Sequence, residues 1–418
     1  MAYLKRIIDA ELKARLASAG AVVIEGPKAC GKTETALQIA ASSVFLDLDN
    51  AARASVDIDP RLLLAGPTPR LIDEWQLAPA VWNGVRREVD LRKLPGQFIL
   101  TGSATPADDA TRHSGAGRFS HLRMRPLSLF EAGISTGQLS LAALLAGDAG
   151  AVPDPGLDFQ QLLAALCRGG WPALQKMDLP AALQGVRDYV RDICRADIHT
   201  IDGIRRDPVR VQAVFEALAR LVACETSYTT LAADVAESLA KPNPQTVASY
   251  VNALERLMIA ELQPAWAPHL RSRARVRASR KFHFADPSLA VAALGASPQS
   301  LLTDLNTTGL LFESLVVRDL RIYGQPLDAD VQHYRDNTGL EVDAIVTLRD
   351  GRWLACEAKL SAAPHIVDAS AASLRKFAER IDTTRCGAPA ALAVITASGY
   401  AYQRPDGVWV VPIGVLGP

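Results

Sequence analysis

Short apolar, β-branched runs recur along the first third of the chain, and stretches of helical composition separate them. Ala21-Val22-Val23-Ile24-Glu25 is one such run. Ser43-Val44-Phe45-Leu46-Asp47-Leu48-Asp49, Leu71-Ile72-Asp73-Glu74 and Gln97-Phe98-Ile99-Leu100-Thr101-Gly102-Ser103 follow, each ending in polar or acidic residues. Runs this short and continuously apolar predict buried parallel strands. Tyr3 to Ala19 reads as a leading helix, and Glu34 to Ala40 has helical composition with no breaker. Alternating strand and helix predicts a parallel sheet covered on both faces.

The pattern then changes. A Gly- and Asp-rich linker spans 147–156, and residues 157–225 carry Leu and Ala at helical spacing, predicting a bundle. Thr229 to Ala240 and Asn243 to Leu254 read as two helices joined by a Pro/Asn turn, with Thr246 capping the second. Leu257-Met258-Ile259-Ala260-Glu261-Leu262 follows. The last third opens with an amphipathic helix, Leu310 to Arg321. A strand pattern at Gly339 to Val346, a turn at Arg349-Asp350-Gly351-Arg352 and a second strand at Trp353 to Lys359 complete it.

The first strand leads into Gly26-Pro27-Lys28-Ala29-Cys30-Gly31-Lys32-Thr33, a full G-x-x-x-x-G-K-[ST] phosphate-binding loop between a strand and a helix. Its glycines let backbone N–H groups close around phosphate oxygens at a helix N-terminus. Lys32 is expected to neutralise the β- and γ-phosphates of ATP, and Thr33 to ligate Mg²⁺. Leu71-Ile72-Asp73-Glu74 has the form of a Walker B strand, with Asp73 holding Mg²⁺ through water and Glu74 orienting or deprotonating the attacking water. Thr101 or Ser103 is placed to hydrogen-bond that water.

Composition narrows the setting. The chain has 418 residues, enough for two to four domains, with 49% hydrophobic and 22% charged residues. Forty-five basic and 45 acidic residues cancel, so a nucleic-acid surface must be a local patch. Six cysteines, at 30, 167, 194, 224, 356 and 386, form no C-x-x-C pair and suggest neither a zinc site nor a disulfide framework. Cys30 lies in the phosphate loop, where oxidation would block nucleotide binding. With no signal peptide and no apolar run long enough to span a bilayer, a reducing cytoplasm and no membrane partner are expected.

Two further patches carry chemistry. Arg271, Arg273, Arg275 and Arg277 recur at period two and fall on one face if extended, followed by Arg280 and Lys281. With the two preceding helices they predict a winged helix whose basic wing lies along DNA phosphates. In the last third, Glu357 and Lys359 are two apart on one strand and share a face; Asp343 on the paired strand converges with them. Glu313, near the start of the preceding helix, adds an acid. Two or three carboxylates with a lysine make a Mg²⁺ site for phosphodiester hydrolysis, in which Glu313, Asp343 and Glu357 hold metal and Lys359 steadies the nucleophile or the transition-state charge.

This acid–hairpin–acid-x-lysine arrangement resembles the PD-(D/E)xK nuclease superfamily. Taken whole, the chain resembles a family of prokaryotic AAA+ ATPases with a C-terminal domain of unknown function that combines a winged helix with a nuclease-like fold. The resemblance also rests on Gly117-Arg118, on Arg125-Pro126-Leu127-Ser128-Leu129-Phe130-Glu131 and on Lys281-Phe282-His283-Phe284-Ala285-Asp286-Pro287. It implies ATP binding and hydrolysis, and it matches Arg118, with Arg112 in reserve, to an arginine that reaches a neighbouring subunit's γ-phosphate in a homo-oligomer. The expected α/β fold is a P-loop AAA+-like core at 1–135, a helical lid at 136–225, a winged helix at 226–290 and a restriction-endonuclease-like α/β domain at 291–418. Two functions stay open: an ATPase acting on DNA, and an ATP-driven switch that binds a protein partner and keeps the nuclease-like fold as scaffold.

Overall fold

The computed structural model describes residues 3–103, 115–199, Ile201, Ile204, 206–236, 243–268 and 280–418. Arg112, Arg271, Arg273, Arg275 and Arg277 lie outside them. Contacts group the chain into two compact units. Unit 1 is Met1–Pro126 with Arg195–Arg206 and Asn252–Ile259, and unit 2 is Leu127–Cys194, Asp207–Val251 and Ala260–Pro418. This grouping is coarser than four successive segments, and it interleaves them.

Unit 1 is built on β1 (Ala21–Glu25), β2 (Ser42–Phe45), β3 (Arg70–Asp73), β4 (Phe98–Gly102) and β5 (Phe119–Arg123), in the spatial order β2-β3-β4-β1-β5. Every pairing is parallel. Strand β4 therefore sits between the strand that feeds the phosphate loop and the strand that ends in Asp73. Side chains alternate across the sheet. Ala21 and Val23 join Val44, Ile72, Leu100, Trp75 and Trp82 on one face, while Val22 and Ile24 join Leu12, Leu16, Leu71, Ile99 and Leu122 on the other. Both faces are buried, which is why these strands read as unbroken apolar runs.

Two sequence boundaries shift. The leading helix is Ile8–Ser18, and Tyr3 to Ile7 form a non-helical strap before it. The second strand stops at Phe45, because Asp49 turns to cap the helix Asn50–Ile58, accepting from the Ala52 N–H at 2.8 Å.

Unit 2 is mixed. The helices Phe159–Arg168, Leu179–Arg195 and Pro208–Arg220 fall where helical spacing predicted a bundle. Helices Tyr228–Ala236 and Pro244–Arg256 follow, and then an antiparallel pair numbered here, after the short β6 (Leu139–Ser140), as β7 (Ala260–Gln263) and β8 (Lys281–Phe284). Thr246 is not the cap of the second helix: Asn243 is, its side-chain oxygen accepting from the Gln245 N–H at 3.0 Å. The long helix Leu305–Gly324 precedes β9 (Asp330–Arg335), β10 (Glu341–Thr347) and β11 (Trp353–Lys359), an antiparallel meander. Helix Pro364–Arg380 then returns the chain to β12 (Ala391–Thr396), parallel to β11. Strands β13 (Tyr402–Gln403) and β14 (Trp409–Pro412) extend this sheet to the order β13-β14-β12-β11-β10-β9.

A buried ionic network holds unit 2 together at the motifs Leu127–Glu131 and Phe284–Pro287. Arg318 donates to Asp286 and Asp319 at 2.7 Å each. Asp286 also accepts from the Gly170 N–H at 2.8 Å, and Asp319 from the Leu129 N–H at 3.1 Å. These carboxylates are fully buried and satisfied by the guanidinium and by backbone donors, the condition under which buried charge is tolerated. Among the described residues, no helix is long and apolar enough to cross a membrane.

Candidate functional site

The parallel register brings the expected nucleotide residues to one edge of the unit 1 sheet. Glu25 at the end of β1 lies beside Gly102 at the end of β4, and Ile72 of β3 lies beside Leu100 of β4. The phosphate loop, Asp73, Glu74, Thr101 and Ser103 thus all follow the carboxyl ends of adjacent strands, where open α/β sheets bind ligands. Gly26 is required by packing: a Cβ there would come within 2.2 Å of the Met124 carbonyl oxygen. Gly31, at φ 105°, starts the helix Lys32–Leu37 from a left-handed conformation that only glycine adopts freely.

Lys32 is buried and donates to the carbonyls of Gly26 at 3.0 Å and Pro27 at 2.9 Å. Its ammonium therefore lies within the curl of the loop, with backbone dipoles as partners. The Thr33 hydroxyl donates to Asp73 Oδ1 at 2.8 Å, and the Thr101 hydroxyl donates to the same oxygen. Thr101 is thereby a positioner of Asp73 in this geometry. A hydroxyl and a carboxylate oxygen in contact form a hard-oxygen pair of the kind Mg²⁺ takes alongside phosphate oxygens, so these two residues fit that ion.

Glu74 sits in a left-handed turn at φ 54°, and its carboxylate accepts from the Gln76 amide and from the Ser103 hydroxyl, the latter at 3.1 Å. Gln76 also reaches Ser103 at 3.3 Å. Lys28 pairs with Asp197 at 2.6 Å on the exposed rim. Cys30 is fully buried, its thiol directed at the Met124 carbonyl at 3.9 Å, so the loop's backbone shields it from the oxidation expected of an exposed thiol.

Arg118 lies at the opposite edge of the sheet. β5 pairs with β1 from Ala21↔Phe119, and the Arg118 carbonyl accepts from the Ala21 N–H at 3.1 Å. A strand length of roughly 13 Å separates that end from the loop. Its guanidinium donates to Asp90 at 2.9 Å and to the Ala116 carbonyl at 3.0 Å. It cannot serve its own chain's phosphate loop.

Sequence reasoning missed the strap that braces this loop. Arg6 is buried and donates to the Cys30 carbonyl and to the Arg125 carbonyl, both at 2.8 Å. The Tyr3 hydroxyl donates to Asp9 at 2.6 Å and accepts from Thr35, in the helix after the loop, at 2.9 Å.

In unit 2 the structure brings Glu313, Asp343, Glu357 and Lys359 together and adds a residue that the sequence placed elsewhere. Lys281, counted with the basic run, points from β8 into this cluster. Its ammonium lies 2.6 Å from Glu313 Oε1 and 3.7 Å from Asp343 Oδ1. Lys359 lies 2.7 Å from Glu357 Oε2 and 3.6 Å from Asp343 Oδ2, and the Ala358 N–H donates to Asp343 Oδ2 at 2.9 Å. The result is an alternating chain: Glu313, Lys281, Asp343, Lys359, Glu357. Behind it, Gln263 donates to the Asp343 carbonyl at 2.9 Å, and the fully buried His283 bridges Gln263 at 3.0 Å and Ser314 at 3.1 Å. Burial holds His283 neutral, so its Nε2 donates to Gln263 Oε1 and its Nδ1 accepts from Ser314.

Three carboxylates face two ammonium groups. Burial, and then the Asp343 charge, push both Glu313 and Glu357 up to about 8. The surrounding carboxylates outweigh burial for Lys281 and Lys359 and hold both charged. The lysines take the places between the carboxylates, and among the described residues no group of three His, Cys, Asp or Glu side chains is disposed to hold a metal ion.

Three family matches divide the chain. Residues 159–300 match a domain of unknown function, DUF8612, and residues 308–416 match a second, DUF4143. Over 98% of its length the chain is 25% identical to uncharacterized proteins of Mycobacterium bovis and Mycobacterium tuberculosis, covering 83% of each. Among solved structures, similarity is found to the Walker-type ATPase Paby2304 of Pyrococcus abyssi, at 10% identity and TM-score 0.38, covering 68% of this chain and 94% of that one. The Drosophila ORC bound to DNA is similar at 13% identity and TM-score 0.19, covering 69% and 84%. Residues 18–133 match the family described as AAA domain, and with the geometry of the phosphate loop this match supports ATP binding and hydrolysis by a P-loop ATPase domain in unit 1.

Proposed function

We propose that this protein is a Mg²⁺-dependent ATPase that acts with DNA through unit 2. The convergence of Lys32, Thr33, Asp73 and Thr101 at one sheet edge carries the first half of this reading. Thr33 and Asp73 would hold the metal, whose charge would offset that of the β- and γ-phosphates. Lys32 exchanges its carbonyl partners for phosphate oxygens. Glu74, held by Gln76 and Ser103, accepts a proton from the attacking water once it is released toward it. Arg118 acts on a neighbouring copy's nucleotide, which makes a homo-oligomer the working form.

For the second half, the helix pair Tyr228–Ala236 and Pro244–Arg256 followed by the β7–β8 hairpin has the order of a winged helix. Helix Leu305–Gly324, β9, β10, β11, helix Pro364–Arg380 and β12 follow the order of a PD-(D/E)xK fold. Both support contact with nucleic acid. The Lys281 pairing supports binding over cleavage.

The test is ATP hydrolysis with and without duplex and single-stranded DNA, with Lys32→Ala as background. Lys32→Ala is expected to lower kcat by about 100-fold or more. DNA is expected to stimulate the wild-type rate. Stimulation that falls steeply with salt, and vanishes when Arg271, Arg273, Arg275 and Arg277 become alanine, sustains the DNA reading. A rate indifferent to DNA overturns it in favour of a protein-directed switch.

A further inference from the structure

Lys281 and Lys359 meet the same carboxylates from different settings. Lys359 ends β11 with its side chain 34% exposed, whereas that of Lys281 is 6% exposed. Lys281 also lies within paired backbone. It faces Gln263 across β7 and bridges to Glu225 on its other side. A surface lysine swings away on a flexible stem; this one is anchored at its Cα and enclosed along its length.

Magnesium and manganese bind carboxylates through oxygens drawn to roughly 2.0–2.2 Å. Between Glu313 and Asp343 that place is taken by an ammonium in contact with Glu313 at 2.6 Å. It excludes a second cation by volume and by like charge. The cation also comes from a different part of the chain than its partners. Lys281 lies within 159–300, and Glu313, Asp343, Glu357 and Lys359 all lie within 308–416. The carboxylates of one segment are thus closed by the hairpin of the other.

We propose that Lys281 is a resident counter-cation that keeps divalent metal out of the Glu313–Asp343–Glu357 cluster, so that unit 2 carries out no metal-dependent phosphodiester cleavage. This rests on the nucleic-acid reading of unit 2 but is independent of ATP hydrolysis in unit 1.

The decisive experiment is Mn²⁺ binding to the full chain without nucleotide, read as loss of the free Mn²⁺ electron-paramagnetic signal. Four proteins are compared: wild type, Glu313→Gln, Lys281→Met and Lys281→Met with Glu313→Gln. Any Mn²⁺ taken at Thr33 and Asp73 is common to all four. Wild type and Glu313→Gln are expected to bind equal amounts. Lys281→Met is expected to bind one additional Mn²⁺ per chain, at least 10-fold more tightly than the double variant. A wild-type Mn²⁺ that Glu313→Gln removes overturns the proposal, as does a folded Lys281→Met that gains none. If Lys281→Met fails to fold by circular dichroism, Lys281→Gln takes its place in the same four-way comparison. Loss of ATP hydrolysis leaves these binding outcomes unchanged, so the two readings fail separately.

Discussion

Two buried lysines define the two regions of interest, and they are satisfied in opposite ways. Lys32 donates to two neutral carbonyls of its own loop, while Lys281 sits between the carboxylates of Glu313 and Asp343. A lysine on backbone carbonyls can be handed to an anion at the expense of two ordinary hydrogen bonds. A lysine inside a buried ion pair cannot leave without stranding a carboxylate in low dielectric. The first arrangement suits a site that must receive phosphate and release it. The second suits a site whose charge is settled by the fold.

The sharpest way to break this contrast is to remove each ammonium in turn. Lys281→Met is expected to destabilise the protein by about 2–3 kcal/mol, because Glu313 and Asp343 lose a buried charged donor and Glu313 offsets only part of the loss by taking up a proton. Lys32→Met is expected to lose only about 1 kcal/mol, since its partners are carbonyls that tolerate one lost donor. Urea unfolding of both variants provides the measurement. Equal losses would remove the distinction, and recovery in Lys281→Met with Glu313→Gln would sharpen it.

A pH series probes the same cluster with a smaller effect. Glu313 and Glu357 lie at about 8 in the fold against an ordinary 4.5. Above about pH 4.5 the unfolded chain has released protons that the fold retains, so stability falls as pH rises and this contribution is lost on passing through about 8. Each proton that the fold retains adds up to about 1.4 kcal/mol per pH unit to the slope in that window. Glu313→Gln is expected to flatten the urea midpoint between about pH 5 and 8. A midpoint that rises with pH, or one whose slope is unchanged in the variant, would show that the cluster holds no such proton.

These regions also differed in how legible they were. The phosphate loop is eight contiguous residues bounded by a strand and a helix, and its partners Asp73 and Thr101 end strands whose apolar runs mark their positions. Parallel register then does the rest, because neighbouring strand ends meet at one edge. Lys281 gave no such signal. It follows a string of arginines and shares their composition, and only its pairing in β8 turns it inward. Asn243 was passed over as a cap although Asn caps better than Thr, because the sequence does not mark Pro244 as the first residue of the helix. Tyr3 to Ile7 carry helix-compatible residues, yet Arg6 is worth more to the fold as a buried donor to two carbonyls than as one more turn.

That strap extends the comparison to its mildest test. If Lys32 is a movable donor, the loop around it must be held by something else, and Arg6 is the side chain that grips the Cys30 carbonyl from behind. Removing a charged donor to a carbonyl is worth about 1.5 kcal/mol, which corresponds to roughly a 10-fold rise in KM for ATP. Arg6→Ala is therefore expected to raise KM about 10-fold with kcat within about 2-fold, because Lys32, Asp73 and Glu74 remain in place. Arg6→Lys, able to reach one carbonyl, is expected to recover part of the loss. Tyr3→Phe, which removes a hydroxyl bridging Asp9 and Thr35, is expected to shift KM by no more than about 3-fold. A fall in kcat at unchanged KM would place the strap on the chemical step and end its reading as a brace for the phosphate loop.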